Sequence, residues 1–202
     1  GWALPTSLET SVLLTNLSLT NTSLIGTIPD FLGNLGTLST LRLAYNRLGG
    51  PIPTSFSSSN LQVFQANNQL GPFLSGSLEP SIGNMKSLRQ LWLHQNQISG
   101  TLPTNLALNS MSLTDLRLNG NQLVGPIPDS YTQLPLVVFA VENNQLDGPI
   151  PNFGQTTFTF SNNLFCRNET GVPCAPQVDI LLDFLASVDY PSRLVSSWSD
   201  ND

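Results

Sequence analysis

The sequence predicts a solenoid of the α/β type, in which each turn of the coil adds one short strand to a continuous parallel sheet. A unit of the form L-x-x-L-x-L, closed by Gly-x-Ile-Pro or a variant of it, recurs along the chain. Its copies begin at Leu14, Leu38, Leu61, Leu88, Leu113 and Leu136, the third of them degenerate. The glycines that mark a period of 23 to 26 residues are Gly26, Gly50, Gly76, Gly100, Gly125 and Gly148. Units repeated at this spacing stack into a one-dimensional coil.

Within each unit the apolar residues alternate as they do in a strand. Leu91 and Leu93 are therefore expected in the core, with Trp92 between them on the outer surface. An amide residue follows the second strand leucine by three positions, at Asn46, Asn96, Asn121 and Asn144. These amides are expected to bind the backbone of adjacent turns. In the third copy Gln69 stands at this position, about three extra residues precede Leu74, and Ile-Pro is missing, so we expect this turn to bulge.

The repeats are expected to fill only part of the chain. We assign 1–13 to the tail of a preceding repeat, 14–156 to about six repeats, 157–175 to a C-terminal cap and 176–202 to a non-repeat island. In the cap, Phe158 and Phe160 are expected in a last strand. In the island, Val178, Leu181, Leu182 and Leu185 recur at helical spacing after Pro176, which suits the first turn of a helix.

Three features indicate an extracellular compartment. The two cysteines, Cys166 and Cys174, stand eight positions apart and favour a disulfide over a metal site, because the chain has one histidine, far away. The N-glycosylation triplets begin at Asn16, Asn21 and Asn168. Only 10% of the residues are charged, so we expect hydroxyls, amides or glycans to solvate the surface. Disulfides persist in secreted proteins.

Composition and motifs also argue against several classes of function. A net charge of -6 without a basic run disfavours nucleic-acid binding. No stretch approaches the roughly 20 apolar residues that span a bilayer. With one histidine, no paired carboxylates at recognisable spacing and glycines that follow the repeat, we predict no catalytic residue, cofactor or metal site.

The outward strand positions form the candidate binding surface. The residues between the strand leucines are Ser18, Arg42, Gln65, Trp92, Arg117 and Ala140, and the next outward row is Thr20, Ala44, Asn67, His94, Asn119 and Glu142. We select Arg42, Gln65, Trp92, His94 and Arg117 as binding candidates, with Tyr45 and Arg89 at their flanks. Aromatic residues and arginine are enriched in binding hot spots. A flat strand surface is expected to lack the enclosed pocket that a small ligand needs.

Alternatives remain for these residues. Trp92 could cover a neighbouring turn, and the arginines could pair with acids such as Asp115 or Glu142. His94 could sense extracellular pH, because an unperturbed imidazole titrates near pH 6.5, or it could be inert. Glycans at the first turn would direct binding to later turns.

Several segments carry a resemblance to a known family. The Gly-x-Ile-Pro ending resembles the plant extracellular leucine-rich repeat. The segments "LWLHQNQISG" (91–100), "NNLFC" (162–166), the short Cys loop and "DYPSRLVSSW" (189–198) together resemble the transmembrane-kinase subfamily of plant leucine-rich-repeat receptor-like kinases. The resemblance implies a right-handed coil with its sheet on the concave face. It also places the start of a second N-terminal repeat cap within 176–202.

The same resemblance implies a function. Members of the subfamily sense extracellular ligands or partners, and full members carry a second repeat block, one membrane helix and a cytoplasmic serine/threonine kinase. The resemblance implies a role in auxin-linked growth, with an auxin-binding protein or a co-receptor as partner. It also implies a single-pass type I protein at the cell surface. The alternative is a secreted inhibitor or wall protein of the polygalacturonase-inhibitor type. Such a protein would end after one cap, whereas "DYPSRLVSSW" indicates a restart.

Overall fold

The computed structural model describes residues 1–78 and 81–191 and confirms the predicted solenoid. The start of a second cap, expected in part from residues 192–202, falls outside the described residues.

The main sheet takes one strand from each turn and from the cap. Its seven strands are parallel and lie in chain order: β1 (Asn16–Ser18), β3 (Thr40–Arg42), β5 (Val63–Gln65), β7 (Gln90–Trp92), β9 (Asp115–Arg117), β11 (Val138–Ala140) and β13 (Thr157–Thr159). The middle residues are in register, and Leu41, Phe64 and Leu91 among them are fully buried. Burying each such side chain stabilises the fold by roughly 1.5–3 kcal/mol.

A second set of parallel strands follows the main strands, and the sequence analysis did not predict it. These strands are β2 (Ile25–Thr27), β4 (Arg47–Gly49), β6 (Ser75–Ser77), β8 (Gln97–Gly100), β10 (Gln122–Pro126) and β12 (Gln145–Asp147). They form two sheets, β2-β4 and β6-β8-β10-β12, that separate at the third turn. An isolated bridge between Gly50 and Leu74 lies at the break. The extra residues before Leu74 displace the chain there, as the expected bulge requires.

The side opposite the main sheet carries short helices. They are 3-10 helices at Thr6–Thr10, Thr54–Ser58 and Asp129–Gln133, and α-helices α1 (Phe31–Asn34) and α2 (Leu106–Asn109). Phe56 and Tyr131 anchor two of them in the core, each fully buried, and the Tyr131 hydroxyl donates to the carbonyl of Pro103 at 3.0 Å. Single turns suffice here because burial, not helix length, stabilises them.

Amide side chains bind each turn to the one before it. We call this set the amide ladder; its members are Asn46, Gln69, Asn96, Asn121, Asn144 and Asn163. In each, the side-chain oxygen accepts from a backbone N–H of the preceding turn, and the nitrogen donates to carbonyls of both turns. For Asn121 the partners are the N–H of Ile98 at 3.0 Å and the carbonyls of Leu93 and Leu118 at 3.1 and 2.9 Å.

The residue before each ladder amide has a left-handed backbone. These residues are Tyr45, Asn68, Gln95, Gly120, Asn143 and Asn162, with φ between 54° and 66°. Asn and Gly tolerate this conformation, whereas bulkier residues adopt it at a cost. Tyr45 and Gln95 are therefore exceptions within the series.

The cap closes the core with aromatic rings and a disulfide. Phe158 stacks on Phe139 with ring centroids 5.2 Å apart, and Phe153 and Phe160 pack against Phe158. Cys166 and Cys174 are joined by a disulfide. The cap thus covers the last repeat with apolar surface and a closed loop.

Removing this disulfide should lower the free energy of unfolding by about 2–3 kcal/mol, because the unfolded chain loses the constraint of a short loop. The Cys166→Ala/Cys174→Ala variant and the wild type in reductant should both show the loss in urea denaturation. Adding reductant to the variant is the control and should change nothing further. An unchanged transition midpoint in the variant would contradict the prediction.

Beyond the cap, helix α3 (Pro176–Ser187) confirms the predicted helix, but its apolar face is only partly covered. Leu185 is buried and Leu182 is half-buried, whereas Leu181 is exposed. After the helix, the ring of Tyr190 lies over Gly125 of β10, 3.1 Å from the position that a Cβ there would occupy. The residues after α3 thus return to the second set of strands.

Candidate binding surface

The main sheet brings the outward residues of successive turns into one row. In register across the strands lie Ser18, Arg42, Gln65, Trp92, Arg117, Ala140 and Thr159. Neighbouring parallel strands lie about 4.8 Å apart, so Trp92 and Arg117 are adjacent. Arg42 is separated from Trp92 by one strand.

Trp92 and Arg117 form the centre of a polar network. The guanidinium carbon of Arg117 lies 4.6 Å from the centroid of the Trp92 ring, a cation–π arrangement. Asp115 holds this guanidinium through bonds of 2.9 and 3.3 Å. Gln90 donates to Asp115 at 3.2 Å and accepts from Gln65 at 2.6 Å. The ion pair between Arg117 and Asp115, which the sequence left open, is therefore present together with the contact between Arg117 and Trp92. The network holds the Arg117 side chain over the Trp92 ring.

His94 extends the surface beside Trp92. The two rings have centroids 6.2 Å apart, and Asn68 Nδ2 lies 3.2 Å from His94 Nε2. Burial, and secondarily the charge of Arg117, lowers the pKa of His94 below its ordinary value of 6.5. With Asn68 as the donor, Nε2 accepts and the proton of the neutral ring lies on Nδ1.

Three polar atoms in this region are shielded from solvent but have no hydrogen-bond partner among the described residues. They are Asn67 Oδ1, Trp92 Nε1 and His94 Nδ1. Buried polar atoms are nearly always paired in folded proteins, so an unpaired group of this kind needs a reason. The three atoms are two donors and one acceptor, and they lie in or just after β5 and β7.

The other three candidates lie apart from this network. Arg42 and Arg89 make no ion pair within 1–78 and 81–191, where the Arg117–Asp115 pair is found. Arg89 precedes β7 and is exposed, and Tyr45 lies past the end of β3 with a side chain 49% exposed. Sequence periodicity placed Arg42 in the outward row of the main sheet but could not determine which side chains touch.

A pocket lies beside the irregular third turn, and the sequence analysis did not predict it. We call it the bulge pocket; it has a volume of about 360 Å³ and is lined by Tyr45, Asn68, Gln69, Leu70, Phe73, Gln95, Asn96 and Gln97. This volume is at the lower end of the range for small-molecule sites. The signal in the sequence was the insertion before Leu74 and the bulky residues at left-handed positions.

The asparagines of the three glycosylation triplets are exposed. Asn16 begins β1, Asn21 follows the same strand, and Asn168 lies in the disulfide loop. The first two therefore border the main sheet at its first turn, two strands or more from Trp92.

In the described part of the chain, no cluster of three or more histidines, cysteines or acids could hold a metal ion. None of the described helices combines the length and the apolar character needed to cross a membrane.

Comparisons with known proteins agree with this architecture. A family model described as Leucine Rich Repeat matches 13–35, 37–59, 87–108 and 112–134, and passes over the irregular third turn. The chain is 36% identical over 233 aligned residues to receptor-like kinase TMK2 of Arabidopsis thaliana. This alignment covers 100% of the chain and 23% of the relative, so the chain spans about a quarter of that relative's length.

Two solved structures share the fold. One is the plant peptide hormone receptor RGFR1 in complex with RGF2, with a TM-score of 0.75, 32% identity, and coverage of 81% of this chain and 27% of that chain. The other is the Arabidopsis receptor kinase HAESA in complex with the peptide hormone IDA and the co-receptor SERK1. Its TM-score is 0.70 at 27% identity, covering 81% of this chain and 28% of that chain.

The repeats, the parallel sheet, the disulfide near the C-terminal end and the whole-chain similarity lead to one assignment. The chain belongs to the leucine-rich-repeat ectodomains of plant receptor-like kinases, of the transmembrane-kinase type that TMK2 represents.

Proposed function

We propose that the main-sheet surface around Trp92 binds an extracellular polypeptide, and that the longer protein couples this binding to an intracellular serine/threonine kinase. The observation that carries the proposal is the Trp92–Arg117 stack, which Asp115 holds in place on the outward face of the sheet. A held aromatic ring provides apolar contact, and the Arg117 guanidinium, whose side chain is 37% exposed, provides N–H donors to a partner.

The similar structures support a polypeptide partner. RGFR1 is in complex with RGF2, and HAESA is in complex with a peptide hormone and a co-receptor. We extend this to the present chain as a proposal: the partner is a peptide, a protein or a co-receptor. The site lies on the extracellular face of the plasma membrane, as in a single-pass type I receptor.

The proposed signalling context is auxin-linked growth, on the strength of the similarity to the transmembrane-kinase type. An auxin-binding protein or a co-receptor is then the partner. Direct binding of auxin, a small carboxylic acid, is disfavoured because its carboxylate needs a cation or several donors in an enclosed site. The bulge pocket contains no Lys, Arg or His.

Domain boundaries and glycans complete the proposal. We keep 14–156 as the repeat block, 157–175 as its cap, and 176–202 as an island that leads to a second cap, with 1–13 as the end of an earlier repeat. Glycans on Asn16 and Asn21 would cover the first turn of the sheet, because both residues are exposed there. Binding would then be confined to later turns, where Trp92 lies.

The double variant Trp92→Ala/Arg117→Ala tests the proposal. We expect it to bind the partner about 30-fold more weakly, because truncating a hot spot costs about 2 kcal/mol. Wild-type and variant glycosylated proteins would capture partners from plant apoplastic fluid, with identification by mass spectrometry and affinities measured on the purified partner. Leu108→Ala, at a 77% exposed side chain on the helical side, is the matched control. Equal affinity of the double variant and the wild type would overturn the proposal.

A further inference from the structure

We propose that the bulge pocket receives one large, uncharged apolar side chain of the polypeptide that the main-sheet surface binds. This inference rests on the proposed function and names a specificity-determining site within it. The occupant is an aromatic or leucine-like anchor residue of the partner.

The chemistry of the lining selects the occupant. Leu70, Phe73 and Tyr45 expose 63%, 38% and 49% of their surfaces around the pocket, an unusual concentration of exposed apolar groups. Around them the lining side chains are amides, with no Asp, Glu, Lys, Arg or His. A charged side chain would find no counter-charge here, whereas an apolar one would remove its own surface and that of three neighbours from water.

The pocket is held open by the solenoid itself. Pro72 packs so closely on the preceding turn that a Cβ at Gly49 would lie 2.9 Å from its ring. The N–H of Leu70 donates to the carbonyl of Asn46 at 2.7 Å, which ties the start of the insertion to the second turn. The ladder amide of Asn96 accepts from the N–H of Leu74 at 3.2 Å and fixes its end. A preformed pocket lowers the entropic cost of binding.

Three lining residues occupy left-handed positions that favour Asn or Gly, and two of them are neither. Tyr45 has φ 56° and Gln95 has φ 57°, whereas the equivalent residues in other turns are Asn or Gly. Their side chains therefore cost stability where a smaller residue would fit. Residues kept in unfavourable backbone conformations cluster at ligand sites, and both of these line the pocket.

The pocket is continuous with the polar network on the main sheet. Asn68 lines the pocket and contacts His94 Nε2, and Gln95 follows His94 in the chain. A polypeptide that covers Trp92 and Arg117 can therefore extend past His94 and place its next side chain in the pocket. This arrangement assigns affinity to the sheet and selectivity to the pocket.

Titration of the isotope-labelled 202-residue chain with N-acetyl-L-tryptophan amide tests the proposal by amide NMR. We expect saturable shifts at Leu70, Phe73, Gln95 and Gln97, and at least tenfold weaker binding by Leu70→Glu. Leu108→Glu, at a leucine of helix α2 that is 77% exposed, should bind as the wild type does. Tyr45→Asn should weaken binding tenfold while raising the melting temperature, which separates loss of the site from misfolding.

Several results would overturn the inference. They are the absence of saturable shifts, unchanged affinity in Leu70→Glu, or equal binding of N-acetyl-L-glutamate amide or of the neutral sugar cellobiose. The Trp92→Ala/Arg117→Ala variant should retain the probe, because neither side chain lines the pocket. Loss of partner binding in that variant without any probe binding to the wild type would reject the pocket and leave the proposed function standing. Probe binding to the wild type, together with unchanged partner binding in the double variant, would reject the proposed function.

Discussion

Asn46→Ala will lower the free energy of unfolding by about 4 kcal/mol, because two or more buried backbone groups lose their partners at about 1–3 kcal/mol each. Asn46 is fully buried. Its oxygen accepts from the N–H groups of Thr22 and Leu24 at 3.0 and 2.9 Å, and its nitrogen donates to the carbonyls of Leu19 and Leu43 at 2.7 and 3.0 Å. The bonds to Leu24 and Leu43 are buried, so removing the amide leaves those two backbone groups without a partner.

Urea denaturation followed by circular dichroism would measure this loss. Asn119→Ala is the matched control, since Asn119 is half-buried just after β9 and its side chain makes no hydrogen bond with the described residues. We expect that control to unfold within about 0.5 kcal/mol of the wild type, as surface substitutions do. Similar losses in both variants would mean that the ladder contributes little to stability.

Asp147→Asn will remove a pH-dependent destabilisation of up to about 4 kcal/mol. Asp147 ends β12 with only 3% of its surface exposed, and neither carboxylate oxygen accepts a hydrogen bond of ordinary geometry from the described residues. Burial raises its pKa from 3.8 to about 7, against a smaller opposing influence of the Gly125 backbone. Burial, with Asp147 and then Asp183 adding to it, raises the pKa of the neighbouring Tyr190 to about 12.

The direction of this pH dependence follows from the protons that the folded and unfolded states bind. Between pH 4 and pH 7 the folded state holds a proton on Asp147 that the unfolded state has released. The stability of the wild type with respect to this group is therefore full below about pH 4 and is lost as the pH rises through about 7. The variant should therefore match the wild type near pH 4 and exceed it at pH 8 in urea denaturation. Asp129→Asn, which removes the same charge at an exposed position, should show no such divergence. A variant-to-wild-type difference that is constant with pH would refute the assignment.

The repeats of this molecule could be predicted from the sequence because the positions of apolar and amide residues within each repeat indicate its strand and its turn. Leu91, Trp92 and Leu93 alternate about the sheet as their polarity dictates, and the ladder position recurs three residues after the strand. The same spacing leads from Phe160 to Asn163, which completes the ladder in the cap. It was missed because the leucines that identify a repeat are absent there.

What the sequence could not provide depends on contacts between turns. The second set of strands contains polar and glycine residues, as in Ser75–Ser77, whose pairing becomes apparent only beside the neighbouring turn. The burial of Asp147 depends on tertiary packing around it, with Tyr190 nearby. In the candidate site, Gln90 and Asp115 join Gln65 to Arg117 through side-chain conformations that no periodicity specifies. The bulge pocket likewise arises from how an insertion lies against Tyr45 and Gln95.

The amide ladder also bears on how such a chain can evolve. Because each ladder residue bonds to the turn before it at the same relative position, a whole turn can be duplicated or deleted and the new neighbours will still match. Loss of a single residue inside a strand would instead put the amide of that turn out of step with its backbone partners. The third turn shows where length variation is accepted: its extra residues lie between Gln69 and Leu74, after one ladder bond and before the next strand. New recognition surfaces can be added at that point without disturbing the coil that presents them.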